Sequence, residues 1–99
     1  MTARLFTFVC EFRGATNVSQ VSAPDEQGAV REWARRLRTE RPFGRASSYI
    51  GKTAEADLKD KLPPIAIRGV SNVWCITGIC GGDLMLANIV ETVSPANGS

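Results

Sequence analysis

The chain has 99 residues, of which 43% are hydrophobic and 22% charged, with a net charge of +2. That is material for one domain with a single core that needs no staples, and its near-neutral balance excludes a global field drawing it to nucleic acid or anionic lipid. No apolar run reaches the ~18 residues of a membrane helix, and the absence of histidine removes the commonest general base and metal ligand.

Phe6, Phe8, Cys10 and Phe12 alternate with Thr7, Val9, Glu11 and Arg13, so Leu5 to Arg13 reads as a strand with one aromatic face. Gly14-Ala15-Thr16-Asn17 is the expected turn, and Asn17 to Ala23 a second, more polar strand closing an antiparallel hairpin. Pro24, Asp25 and Glu26 suit a first helical turn. Ser22 and Asp25 compete for its cap. Ala29, Val30, Trp33, Ala34 and Leu37 recur at helix spacing, and Arg41-Pro42 ends the helix.

Residues 43–64 carry a weaker pattern. Ala54 to Lys61 fits a short second helix with Leu58 and Leu62 on its apolar face, stopped by Pro63-Pro64. Ile65 to Arg68 is a short strand candidate. Val73 to Cys80 and Leu84 to Thr92 read as strands joined through Gly81-Gly82-Asp83, both apolar on both faces. The expected fold is α+β: a four-stranded antiparallel sheet with one main helix, in the order β-β-α-(short α)-β-β. Residues 1–93 form the domain and 94–99 a frayed polar tail.

The chemistry is sparse. Without histidine no Ser-His-Asp or Cys-His arrangement can be built. Cys10, Cys75 and Cys80 are an odd number of thiols within apolar strands, the pattern of buried free cysteine. Neither a metal site nor a cofactor is expected. Gly78-Ile79-Cys80-Gly81-Gly82 is followed by a strand, so it lacks the strand-to-helix setting of a phosphate loop. The first residues, Met1-Thr2-Ala3-Arg4, lack the apolar segment of a signal peptide. A bacterial, cytoplasmic protein without membrane association is the expectation.

Three functional readings follow. The preferred one is a non-catalytic interaction module, a homodimer or the complement of a protein partner. One helix cannot cover both apolar faces of the last hairpin, so Trp74, Ile76, Met85 and Ile89 are the expected interface. An alternative is nucleic-acid binding by Arg31, Arg35, Arg36 and Arg38, disfavoured because the whole domain is near neutral. Another is a small-ligand protein or enzyme with a helix–sheet pocket built from Glu11, Arg13, Trp33, Tyr49 and Trp74.

The stretch Leu5-Phe6-Thr7-Phe8-Val9-Cys10-Glu11-Phe12-Arg13-Gly14, with Ser19-Gln20-Val21, the Trp33 helix, Asn72-Val73-Trp74-Cys75 and Asn88-Ile89-Val90-Glu91-Thr92, resembles a loose group of small uncharacterised bacterial proteins. Members are encoded in genomes and on mobile gene cassettes. The resemblance spans most of the chain but implies no known activity and transfers no site residue. The strand-strand-helix order also resembles small antitoxin domains with a double-stranded-RNA-binding-like fold, though here the last strands are longer and the DNA-binding extension is missing. That likeness concerns fold alone.

Overall fold

The computed structural model describes residues 3–92. Strands β1 (Arg4–Phe12) and β2 (Ala15–Ala23) form the first hairpin. Two helices follow, α1 (Glu26–Glu40) and α2 (Arg45–Lys59), and then strands β3 (Ile65–Ala66), β4 (Val73–Cys80) and β5 (Asp83–Thr92). All five strands belong to one antiparallel sheet in the spatial order β2-β1-β5-β4-β3. The sheet therefore has five strands rather than the expected four. The two-residue β3 joins it, and the chain order is β-β-α-α-β-β-β.

Both long hairpins turn on two residues with positive φ, Arg13-Gly14 and Gly81-Gly82. Such turns match the right-handed twist of the flanking strands. The first is tighter than the four-residue turn expected, and β2 consequently starts at Ala15. Asp25 caps α1: its Oδ1 accepts from the Gly28 N–H at 2.7 Å, which settles the choice against Ser22. Arg41 ends α1 in the left-handed region at φ 53°, its backbone N–H donating to the Leu37 carbonyl.

The second helix is not the short one expected over 54–61; it spans 15 residues from Arg45. Its buried positions are Ser47, Ile50, Gly51 and Ala54, helix spacing carried by small side chains. The buried Ser47 hydroxyl accepts the Phe43 backbone N–H at 2.7 Å, pinning the entry into the helix. Small residues let the helices touch: a Cβ on Gly51 would lie 2.7 Å from the Ala34 carbonyl oxygen.

Helix α1 covers β1 and β2, and α2 covers β4. Trp33 stacks on Phe8 with ring centroids 4.9 Å apart and planes within 11°. This is the packing expected of the helix stripe on the aromatic strand face. Phe6, Phe8, Cys10 and Phe12 share the core with Val21, Met85, Ala87 and Ile89. The bidentate pair of Arg4 with Glu91, both contacts at 2.8 Å, ties β1 to β5. That hydrogen bonding holds the Glu91 carboxyl below its ordinary value. The tail expected at 94–99 lies outside the described residues.

Candidate functional site

The expected interface residues all belong to the face that the helices cover. Met85 is 3% exposed and Ile89 fully enclosed. Trp74 and Ile76 are half-buried, packed against the same core, and Trp74 meets Phe6 at 5.9 Å. The helix pair buries this face within the chain, because α2 is long enough to reach β4. The unpartnered face is the other one.

Strand register shows what that open face contains. One row crosses all five strands as Val18, Val9, Asn88, Cys75 and Ile65. Leu84 pairs with Ile79 in another, and Leu86 lies between Glu11 and Thr77. Val18, Ile65, Ile79 and Leu84 are each more than half exposed. The neighbouring row is mixed, Gln20, Thr7, Val90 and Val73; in it Gln20 donates to Thr7 at 3.0 Å, and the Thr7 hydroxyl meets that of Thr92 at 2.6 Å.

The arginines of α1 do not form a free cationic face. Arg35 pairs with Glu32, Arg36 with Glu40 at 2.8 Å, and Arg38 with Glu55 at 2.5 Å across to α2. The hydrogen bond from Arg35 holds the Glu32 carboxyl below its ordinary value. Arg36 also donates to the Gln20 carbonyl on the outer edge of β2. Arg31 is exposed.

The expected pocket residues do not converge either. Glu11 stands exposed on the open face, and Trp33 is enclosed under α1. Arg13 lies at the first hairpin turn, over the Phe12 ring at 4.8 Å and bonded to Asp83 Oδ2 at 2.7 Å. It thus braces the two hairpin turns at one end of the sheet. Only Tyr49 of that set lines the main cavity, which measures about 420 Å³.

That cavity lies between α2 and the β3–β4 side of the sheet. Ile50, Ala54 and Leu58 form its helix wall, with Leu62 and Pro63 beyond them, and the β4 residues Ile76 to Cys80 opposite. Asp57 is the one charged side chain on its wall, and it joins none of the ion pairs among the described residues.

The sheet edge beside the cavity is unfinished. Backbone groups along a strand point alternately to either side. Val73 accepts from the Ile67 N–H at 3.0 Å, while Asn72 accepts from Glu91 on the opposite side. Cys75, Thr77 and Ile79 therefore turn their N–H and C=O groups outward with Val73. Ile65 pairs with Cys75. The next residue in that register, opposite Thr77, is Pro63, which has no N–H to give. Pairing stops there, and Thr77 and Ile79 have no strand partner among the described residues.

Nucleophiles are suppressed. Burial pushes the Cys10 thiol up to about 12, and desolvation raises that of the half-buried Cys75. Among the described residues no three metal-ligating side chains come together, and no helix is long and apolar enough to cross a membrane. Comparison with protein-family models, curated proteins and solved structures gives no match.

Sequence reasoning missed Asp57 and the Thr77–Ile79 edge, and placed Leu62 on a helix face rather than in the cavity. The available signal was Pro63-Pro64, which becomes informative only once Ile65 is known to pair with Cys75.

Proposed function

We propose that the chain is a non-catalytic interaction module that works as a homodimer, two copies meeting through the open faces of their sheets. The observation that carries this reading is the row Val18, Val9, Asn88, Cys75 and Ile65, flanked by Leu84, Leu86 and Ile79, on a sheet face that neither α1 nor α2 covers. Exposed apolar area of this kind is uncommon on stable monomers, and a twofold contact is the commonest way to bury it. The raised cysteine thiols and the arginine-bound carboxylates support a binding role over a catalytic one.

The test is the solution mass by sedimentation equilibrium. At ~100 μM a dimer of even weak micromolar affinity is mostly associated. Leu84→Asp and Ile79→Asp, both at exposed positions, should give folded monomers with an unchanged far-ultraviolet spectrum. Wild-type protein that sediments as a monomer at that concentration refutes the proposal.

A further inference from the structure

We propose that the outer edge of β4 is a strand-accepting groove for an extended peptide with alternating apolar side chains and a basic side chain among them. This site adjoins the sheet face proposed for dimerisation, sharing Ile65, Cys75 and Ile79 with it, but does not depend on that reading.

The backbone selects the kind of occupant. Thr77 and Ile79 present two N–H and two C=O groups outward, with repeats about 6.7 Å apart along the strand. Only another extended backbone offers donors and acceptors at that spacing, and such pairing is a general way of capturing peptides. The segment leading into β3 cannot complete the edge, because Pro63 stands where the next donor is needed and Pro64 follows it. Nor is the edge guarded. Sheet edges are commonly blunted by charge, proline or a bulge, yet Val73 to Cys80 contains no charged residue and no proline. The opposite edge differs: β2 is polar, and Arg36 occupies its Gln20 carbonyl.

The cavity selects the side chains. Its volume of about 420 Å³ falls within the range of small ligand pockets, roughly 300–1,000 Å³. Its walls beside the open edge are aliphatic: Ile50, Ala54, Leu58, Leu62 and Ile76. An added strand turns every second side chain toward the helix layer, so it places apolar groups there while its backbone pairs with Thr77 and Ile79. Asp57 supplies the charge preference. Its half-buried carboxylate is on the cavity wall without an ion-pair partner among the described residues. A lysine or arginine entering the groove gains that partner, whereas a glutamate or aspartate meets like charge in a partly desolvated place.

The experiment is selection from a display library of random nine-residue peptides on the immobilised full chain. The enriched consensus is then synthesised with blocked ends, and its affinity is measured by fluorescence anisotropy. The expected consensus alternates apolar residues and carries lysine or arginine. Methylating a backbone nitrogen at the centre of the peptide should weaken binding at least tenfold, with the protein unaltered. Asp57→Lys should weaken binding of the basic consensus at least tenfold. Thr77→Pro, which removes only an outward N–H and spares the β4–β5 ladder, should do the same. Circular dichroism and melting establish that each variant is folded, and the methylated peptide gives the answer if one is not. Leu84→Asp, on the dimer face, should leave peptide affinity within twofold. Failure to enrich any sequence over an unrelated immobilised protein overturns the proposal. So does enrichment of peptides that tolerate backbone methylation, or that bind Asp57→Lys as well as wild type.

Discussion

Gly51 is a point of close approach between the two helices, and an added methyl group there measures how rigid their contact is. The Cβ of an alanine at 51 would lie 2.7 Å from the Ala34 carbonyl oxygen and 3.4 Å from the carbonyl carbon. Ordinary contact begins near 3.4 Å, so the helices must separate by about 0.7 Å. Neither is free to do so. Helix α1 is held by Trp33 stacked on Phe8 and by fully enclosed Ala34, and α2 by Ile50 at 2% exposure. A gap of 0.5–1 Å forfeits roughly a quarter to a half of each dispersion contact it opens, and overpacking of a core costs typically about 1–3 kcal/mol. Against this, alanine in a helix interior is worth about 1 kcal/mol more than glycine. Because the clash is with a backbone carbonyl that cannot turn aside, the cost lies in the upper part of that range, about 2–3 kcal/mol, and the expected net loss for Gly51→Ala is about 1–2 kcal/mol. That corresponds to a melting temperature lower by roughly 4–16 °C for a domain of this size. Urea unfolding followed by circular dichroism gives the difference directly. The contact is with a backbone atom, so adding Ala34→Gly should not rescue the variant. A Gly51→Ala protein as stable as wild type, or one restored by Ala34→Gly, would refute the reasoning.

Three further outcomes are expected. Trp33→Ala should lose on the order of 3–5 kcal/mol; Trp33→Phe should lose far less, because the buried indole N–H has no partner among the described residues to forfeit. Equal losses in chemical denaturation would contradict this. Ser47→Ala leaves the Phe43 N–H without its acceptor and should cost about 1–3 kcal/mol; a neutral result would mean that α2 does not depend on this bond. Cys10 keeps its proton to about 12 in the folded chain, whereas an exposed thiol in the unfolded chain releases it near 8.5. Unfolding thus releases a proton above the lower value, and stability falls as pH rises, by about 1 kcal/mol between pH 9 and 10 from this group. Unfolding curves at those two pH values should show the fall in wild type and a smaller one in Cys10→Ala, and identical slopes would remove Cys10 as the cause.

The parts of the fold with large side chains at regular spacing were legible. Phe6, Phe8, Cys10 and Phe12 at period two, and Trp33 within a stripe at helix period, marked β1, α1 and their mutual packing. Helix α2 was not, although Ser47, Ile50, Gly51 and Ala54 have ideal spacing for a buried helix face. Three of these four are small, and serine and glycine carry turn as well as helix meanings. The apolar faces of the last hairpin were legible, but which face the helices take was not. That choice depends on β5 lying between β1 and β4, a pairing across most of the chain that no local pattern encodes. The groove depended on the same topology, so Tyr49, Leu58, Leu62, Ile76 and Met85 were each singled out but never as parts of one site.

The pairing of the first strand with the last also fixes how the molecule responds to mechanical load. Leu5 stands opposite Thr92 and Phe12 opposite Met85, so Ala3 and Thr92 lie at the same end of one antiparallel ladder. A force drawing these two ends apart acts across the strands and opens one pair at a time. The eight β1–β5 pairs then fail in sequence at low force. Moving the second handle to Asp83, at the other end of β5, pulls along the strands and loads the pairs together. An optical-trap comparison of these attachments should give a markedly higher rupture force for the second. Equal forces would mean that resistance lies elsewhere, in the helix layer rather than in the central ladder.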